Sequence, residues 1–244
     1  MKQSALFFMA LLFFAPFHGV SAQGKNCDVN DTLCLFNIVE TEAAKITEGR
    51  WRDHAYRDLA VSKAVSADYD GAVALIARIN NPDTQAMTIR AIGMAIAIHQ
   101  NLSDDTYRMV FAKLDKAAET ITNEGAKDIA YTYIAMAEAF AGLDADAAKT
   151  MSNMKNSALK YKAYAETAEI QAGRGDFKAA MASINAIHSL SFKNKALGVI
   201  SSIFTKQKKY DEALNAAQSI TNPTQKAEAV QLLINHRQNL VKDQ

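Results

Sequence analysis

From about residue 30 onward, apolar positions recur at intervals of three and four, as in Ile89, Ile92, Gly93 and Ile96, or Ala130, Ile134 and Ala137. Such spacing keeps returning to one face of a 3.6-residue helix, so it predicts amphipathic helices. Polar joints interrupt the pattern every 12–18 residues or so, a usual length for globular helices. The first helix is expected over about residues 33–48.

The helical pattern itself repeats. Tyr69-Asp70-Gly71-Ala72-Val73, running on to Ile79 and Pro82, matches Tyr210-Asp211-Glu212-Ala213-Leu214, running on to Ile220 and Pro223, at an offset of 141 residues. Phe177, Ala180, Met181 and Ile187 carry the unit again, and weaker copies begin near Tyr107 and Asp144. The phases 69, 107, 144, 177 and 210 are separated by steps of 38, 37, 33 and 33 residues. A period of this size holds two helices, and stacked units of that kind form an α-solenoid. Tyr69, Phe177 and Tyr210 are then expected to open the second helix of each unit, where small residues such as Ala72, Ala180 and Ala213 let helix axes approach. Pro82 and Pro223 fall at the start of the next first helix, where a missing N–H costs nothing.

The aromatic-Asp-x-Ala-apolar signature at Tyr69–Val73 and Tyr210–Leu214 resembles the second helix of tetratricopeptide repeats, over about residues 51–240. The resemblance implies an all-α fold, a right-handed α-α superhelix of about five to six hairpins, with HEAT-type pairing as the competing arrangement. It also implies a concave face lined by first helices. His54, Arg57, Thr132, Met136, Phe140, Lys162, Glu169, Lys195, Ser202, Lys206, Gln231 and Asn235 are expected to face that groove and to receive an extended peptide or amphipathic helix. No nucleophile, base or metal cluster can be assembled from the motifs, so neither catalysis nor a cofactor is expected.

Composition supports helix and sharpens the charge picture. The 244 residues include 44 alanines but only 10 glycines and 3 prolines, which disfavours a turn-rich β fold. The formal net charge is +1, which argues against a nucleic-acid binder working by bulk charge. That balance conceals a division. Residues 23–148 hold 12 Lys and Arg against 19 Asp and Glu, a net of −7; residues 149–244 hold 14 against 7, a net of +7. On an elongated array this predicts two electrically opposite ends, suited to an acidic partner or to salt-sensitive self-assembly.

The chain opens with Lys2, the apolar run Ala5–Phe17 and the small residues Val20-Ser21-Ala22. That plan predicts a secretory signal peptide over residues 1–22, a mature start at Gln23, and a periplasmic or secreted protein without later membrane insertion. Residues 23–50 are expected to form a cysteine-bearing cap and residues 51–244 the repeat domain. Cys27 and Cys34, with six residues between them, are the only cysteines. In an oxidising compartment they read as one structural disulfide, with free thiols as the alternative.

The chain carries no HExxH, GxSxG, Walker or GxGxxG pattern. Asp144-Ala145-Asp146 lacks the glycine and the twelfth-position glutamate of a calcium loop and reads as a helix cap. Gly173-Arg174-Gly175-Asp176 falls where the repeat demands a turn, with glycine ending one helix and Asp176 capping the next, an Arg-Gly-Asp adhesion motif being the alternative. His54, His99, His188 and His236 lie on different units without ligand spacing, so no metal site is expected. Trp51, the sole tryptophan, is expected to seal the first repeat against the N-terminal helix, stacking on a ligand being the alternative.

Overall fold

The computed structural model describes residues 27–99 and 101–242, so the expected signal peptide and its cleavage point lie outside the described residues. Among the described residues the protein is all-helical. Twelve helices run α1 (Thr32–Lys45), α2 (Gly49–Val65), α3 (Tyr69–Ile76), α4 (Pro82–His99), α5 (Asp104–Glu119), α6 (Glu124–Phe140), α7 (Asp144–Ser152), α8 (Ser157–Gly173), α9 (Phe177–Asn185), α10 (Leu190–Lys206), α11 (Tyr210–Gln218) and α12 (Pro223–Lys242). The long helices pack in succession, α2 on α4, α4 on α6, α6 on α8, α8 on α10 and α10 on α12. Each of α2, α4, α6, α8 and α10 also holds the helix that follows it, and α1 rests on α2. Tyr69, Phe177 and Tyr210 open α3, α9 and α11, while Pro82 and Pro223 open α4 and α12. α5 has 16 residues where α3, α7, α9 and α11 have 8 or 9, which accounts for the longer repeat steps around it.

Two kinds of joint alternate. The turn after α2, α6, α8 and α10 passes through one left-handed residue, Ala67, Gly142, Gly175 and Lys208 respectively, with φ of 65°, 83°, 81° and 61°. In each, the N–H of the next residue reaches back to the helix: Asp68 to Lys63 O, Leu143 to Glu138 O, Asp176 to Gln171 O and Lys209 to Phe204 O, at 2.8–2.9 Å. Six-to-one closure of this kind satisfies carbonyls that the helix end leaves unpaired. Asp68 and Asp176 then cap α3 and α9.

The other joint leads into a long helix and begins with a buried apolar plug. Ile79, Ile121, Met154, Ile187 and Ile220 are each at most 4% exposed. Burying a side chain of that size contributes about 2 kcal/mol. Two residues later Asn81, Asn123, Asn156 and Asn222 accept backbone N–H groups of the first turn of α4, α6, α8 and α12. Buried side chains from the preceding long helix tie three of these joints. Asp53 accepts from the N–H of Asn80 and Asn81, Asp128 from Lys155 and Asn156, and Asn194 from Thr221. These three are 3–7% exposed, so the backbone N–H groups are what make their burial tolerable.

The buried apolar residues form two clusters, one from Ala43 to Ala163 and one from Ala168 to Leu233, with Tyr164 of α8 packed against both. α4 and α6 approach closely at Gly93, where an added Cβ would stand 3.1 Å from that of Ala137. Disulfide-bonded Cys27 and Cys34, with Cα atoms 5.8 Å apart, close the turn that starts α1. α1 is held lightly: Ala43 is its one buried residue, and Arg78 binds Glu40 at 2.5 Å while donating to Tyr56 Oη at 2.8 Å.

Two local expectations need correction. Trp51 does not seal α1 against α2; it is 56% exposed, with His54 edge-on at 6.0 Å and the Arg50 guanidinium 5.7 Å from its ring centre. α1 meets α2 around Ala55 and Lys63, whose Nζ lies 5.4 Å from the Phe36 ring centre. Asp144 does not cap α7 either, because the cap position is Leu143. Its carboxylate instead receives Gln171 and Arg174 of the next unit at 2.9 and 2.7 Å.

Candidate functional site

Helices that pack side by side leave troughs along their exposed flank, and here the troughs carry the mixed chemistry. Between α10 and α12 lies one of about 440 Å³. Val199, Ile203, Ala229 and Leu232 give it an apolar floor, and Lys195 and Lys206 stand at its margins with Ser202 between them. The backbone allows this because Gly198, in mid-helix, has nothing within 4 Å of where its Cβ would be. Glu228 lines the same trough from α12. It follows Lys195 by 33 residues, so cation and anion share one level of neighbouring helices. Lys206 pairs with none of the described acidic residues, which leaves its charge available.

A related trough of about 550 Å³ runs between α2 and α4. Its lining joins Val61, Met87 and Met94 with Arg57, Asp58 and Arg90. Arg90 also lies 4.9 Å from the ring centre of Tyr133 on α6. Methionine adapts its shape to different apolar partners, which suits a recognition surface.

The twelve residues expected to face one groove are distributed more widely. Lys195, Ser202 and Lys206 converge on the α10–α12 trough and Arg57 lies in the α2–α4 trough. His54 sits beside Trp51. Lys162 is exposed and 3.6 Å from Glu166. Desolvation, then the neighbouring Glu166, holds the Glu169 carboxyl above its ordinary range, with Lys195 pulling the other way. Met136 is half-buried. Phe140, 39% exposed, belongs to a different recess at the α4–α5 corner, shared with Ile98, Leu102 and Tyr107. Thr132 departs from the expectation: it is buried and donates to Asp128 O at 3.0 Å, closing a bond within α6. Gln231 and Asn235 bond to each other at 2.8 Å on α12 and do not line the trough.

Met87, Arg90 and Met94 were not anticipated. Their repeat unit is the one lengthened by the extended α5, so registering helices on a fixed spacing passes over them.

A second polar feature is internal. Glu138 of α6 is 4% exposed, and its Oε2 has no hydrogen-bond partner; Asp115 Oδ1 of α5 is likewise buried and unpartnered. Desolvation first pushes the Asp115 carboxyl up to about 6, with Glu119 adding to the rise and Lys149 opposing it. Desolvation also pushes Glu138 up to about 8, raised further by Asp115 and Asp146 and opposed by Thr150 and Lys149. Among the described residues no group of three or more His, Cys, Asp or Glu is placed to hold a metal ion, and no helix is long and apolar enough to cross a membrane. Comparison with protein-family models, curated proteins and solved structures finds no match.

Proposed function

We propose that this chain is an exported, non-catalytic scaffold whose helix pairs form a TPR-like right-handed superhelix and hold protein or peptide segments in the troughs between successive long helices. The observation that carries the reading is the α10–α12 trough, an apolar floor of Val199, Ile203, Ala229 and Leu232 between the cations Lys195 and Lys206. An amphipathic helix or extended peptide offering apolar side chains and flanking carboxylates matches that surface. The succession of long helices and the signature at Tyr69 and Tyr210 support the repeat reading. The apolar, small-residue leader supports export to the periplasm or beyond.

The test selects peptides by display against the purified protein and maps them by hydrogen–deuterium exchange. Protection concentrated on α10 and α12, lost in Val199→Asp, supports the proposal. Selected peptides that protect other helices, or a turnover activity removed by changing one trough residue, overturn it.

A further inference from the structure

α1 is an amphipathic helix only partly used. Leu35, Ile38 and Val39 are 36%, 46% and 43% exposed. They stand at i, i+3 and i+4, so they form one stripe. Glu42, three residues after Val39, continues that stripe, and Asp31, four before Leu35, stands at its other end as the N-cap of α1, one carboxylate oxygen accepting the Cys34 N–H at 2.9 Å and the other left for a cation. Both residues are exposed. Glu42 holds Lys45 at 2.6 Å, a pair that is readily exchanged because the two side chains are 62% and 65% exposed. The stripe therefore reads anion, apolar, anion.

The α10–α12 trough reads cation, apolar, cation with the same spacing. Lys195 and Lys206 are eleven residues apart, as are Asp31 and Glu42. Eleven residues make about three helical turns, roughly 16 Å long, and return within about 20° of the starting face. The match extends to polarity. An antiparallel seat puts Glu42 on Lys195 and Asp31 on Lys206, and carries Lys45 towards Glu228 on the opposite wall. α1 of the same chain lies on α2, at the other end of the helix succession from α10 and α12, so the occupant comes from another molecule.

We infer that a second copy of this chain is the occupant: α1 of one molecule lies antiparallel to α10 in the α10–α12 trough of the next. The two surfaces differ and belong to opposite ends of the helix succession, so the contact is heterologous and joins copies head to tail, into a ring where the rotation closes and an open chain where it does not. It rests on the reading of the trough as a helix-binding surface and names what it holds.

Sedimentation velocity of the purified protein over a range of concentrations tests it. At low salt the expected mass exceeds that of one chain and rises with concentration; at about 0.5 M salt it falls, since the Debye length there is only about 4 Å. Glu42→Lys and Lys195→Glu each return the protein to a monomer, and the two together restore association. A monomer at low salt, an oligomer indifferent to both single changes, or rescue only when Glu42→Lys is combined with Lys206→Glu overturns the inference. A monomer whose trough still binds display-selected peptides refutes the second copy alone; loss of that binding as well refutes the trough.

Discussion

The carboxylate of Asp128, in the second turn of α6, accepts the backbone N–H of Asn156 at 2.7 Å across 28 residues of chain. It also accepts from Lys155 at 3.1 Å, so one buried side chain fixes where α8 begins. Asp53 does the same for α4, and Asn194 for α12. The entry angle of each following long helix, and with it the shape of a trough such as that between α10 and α12, depends on such a tie.

Asp128→Ala leaves two N–H groups of a partly buried joint without their acceptor. Each unsatisfied buried donor costs about 1–3 kcal/mol, so a loss of about 2–4 kcal/mol is expected in denaturant unfolding. Asp128→Asn keeps one acceptor oxygen, as Asn194 does natively, and is expected to lose less than half as much. Equal losses for the two variants would show that the charge of Asp128, not its acceptor geometry, is what matters.

The left-handed turn residues make a second prediction. Gly142 and Gly175 occupy this position without steric cost, whereas Ala67 and Lys208 hold a side chain at φ 65° and 61°. An L side chain in that conformation costs roughly 1–2 kcal/mol, partly offset by the backbone entropy glycine loses on folding. Ala67→Gly and Lys208→Gly should each stabilise the protein by about 0.5–1 kcal/mol, read as a raised midpoint with an unchanged denaturant slope. Gly142→Ala should destabilise it, although nothing lies within 4 Å of the added Cβ, because the strain is in the backbone itself.

Two helical glycines should respond in opposite directions. At Gly198 an added methyl meets open space, so Gly198→Ala gains helix propensity of about 1 kcal/mol. It also places a methyl group at the floor of the α10–α12 trough, so peptide binding there should weaken while stability rises. At Gly93 a methyl stands 3.1 Å from Ala137 Cβ and 3.5 Å from Leu114 Cδ1. Overpacking there costs about 1–3 kcal/mol and outweighs the propensity gain for Gly93→Val, which should separate α4 from α6 and lower the melting temperature.

The helix boundaries were legible because several local signals coincide at them. Tyr69, Phe177 and Tyr210 share one repeat phase, Pro82 and Pro223 share another, and each opens a helix in the structure. The disulfide was legible because two cysteines so close in sequence have few other uses. The ties were not read, although Asp53, Asp128 and Asn194 each stand sixteen residues before Tyr69, Asp144 and Tyr210. Carboxylates are ordinarily exposed, and only the fold shows that a joint 27 residues onward supplies buried N–H groups. Trp51 was misplaced for a related reason. Its size favours burial, but which flank of α2 receives α1 is set by tertiary packing. Of the residues expected in the groove, those on α10 come together because that helix keeps the regular period, while Thr132 lies on the buried face of α6 with Asp128 and Ala135.

The Asp115–Glu138 pair makes stability depend on pH in the direction opposite to ordinary acid denaturation. The unfolded carboxyls titrate near 3.8 and 4.5, the folded ones at about 6 and about 8. Between those limits the folded state retains protons that the unfolded state has released, so folding stability falls as pH rises from about 4 to about 8. Above about 8 the penalty is complete; below about 4 it vanishes. For Glu138, which is 4% exposed, the loss is on the order of a few kcal/mol. The groups around it decide whether it is relieved: Thr150 and Lys149 of α7 favour the charged form, while Asp115 and Asp146 oppose it. Urea unfolding at pH 5 and pH 8 measures the effect, with the higher midpoint expected at pH 5. Glu138→Gln removes the larger titration while retaining a partner for Thr150, so it should raise the midpoint at pH 8 and reduce the difference between the two. A wild-type protein more stable at pH 8 than at pH 5 would mean that Glu138 is charged in the folded state and that Lys149 or water has supplied the partner its Oε2 lacks.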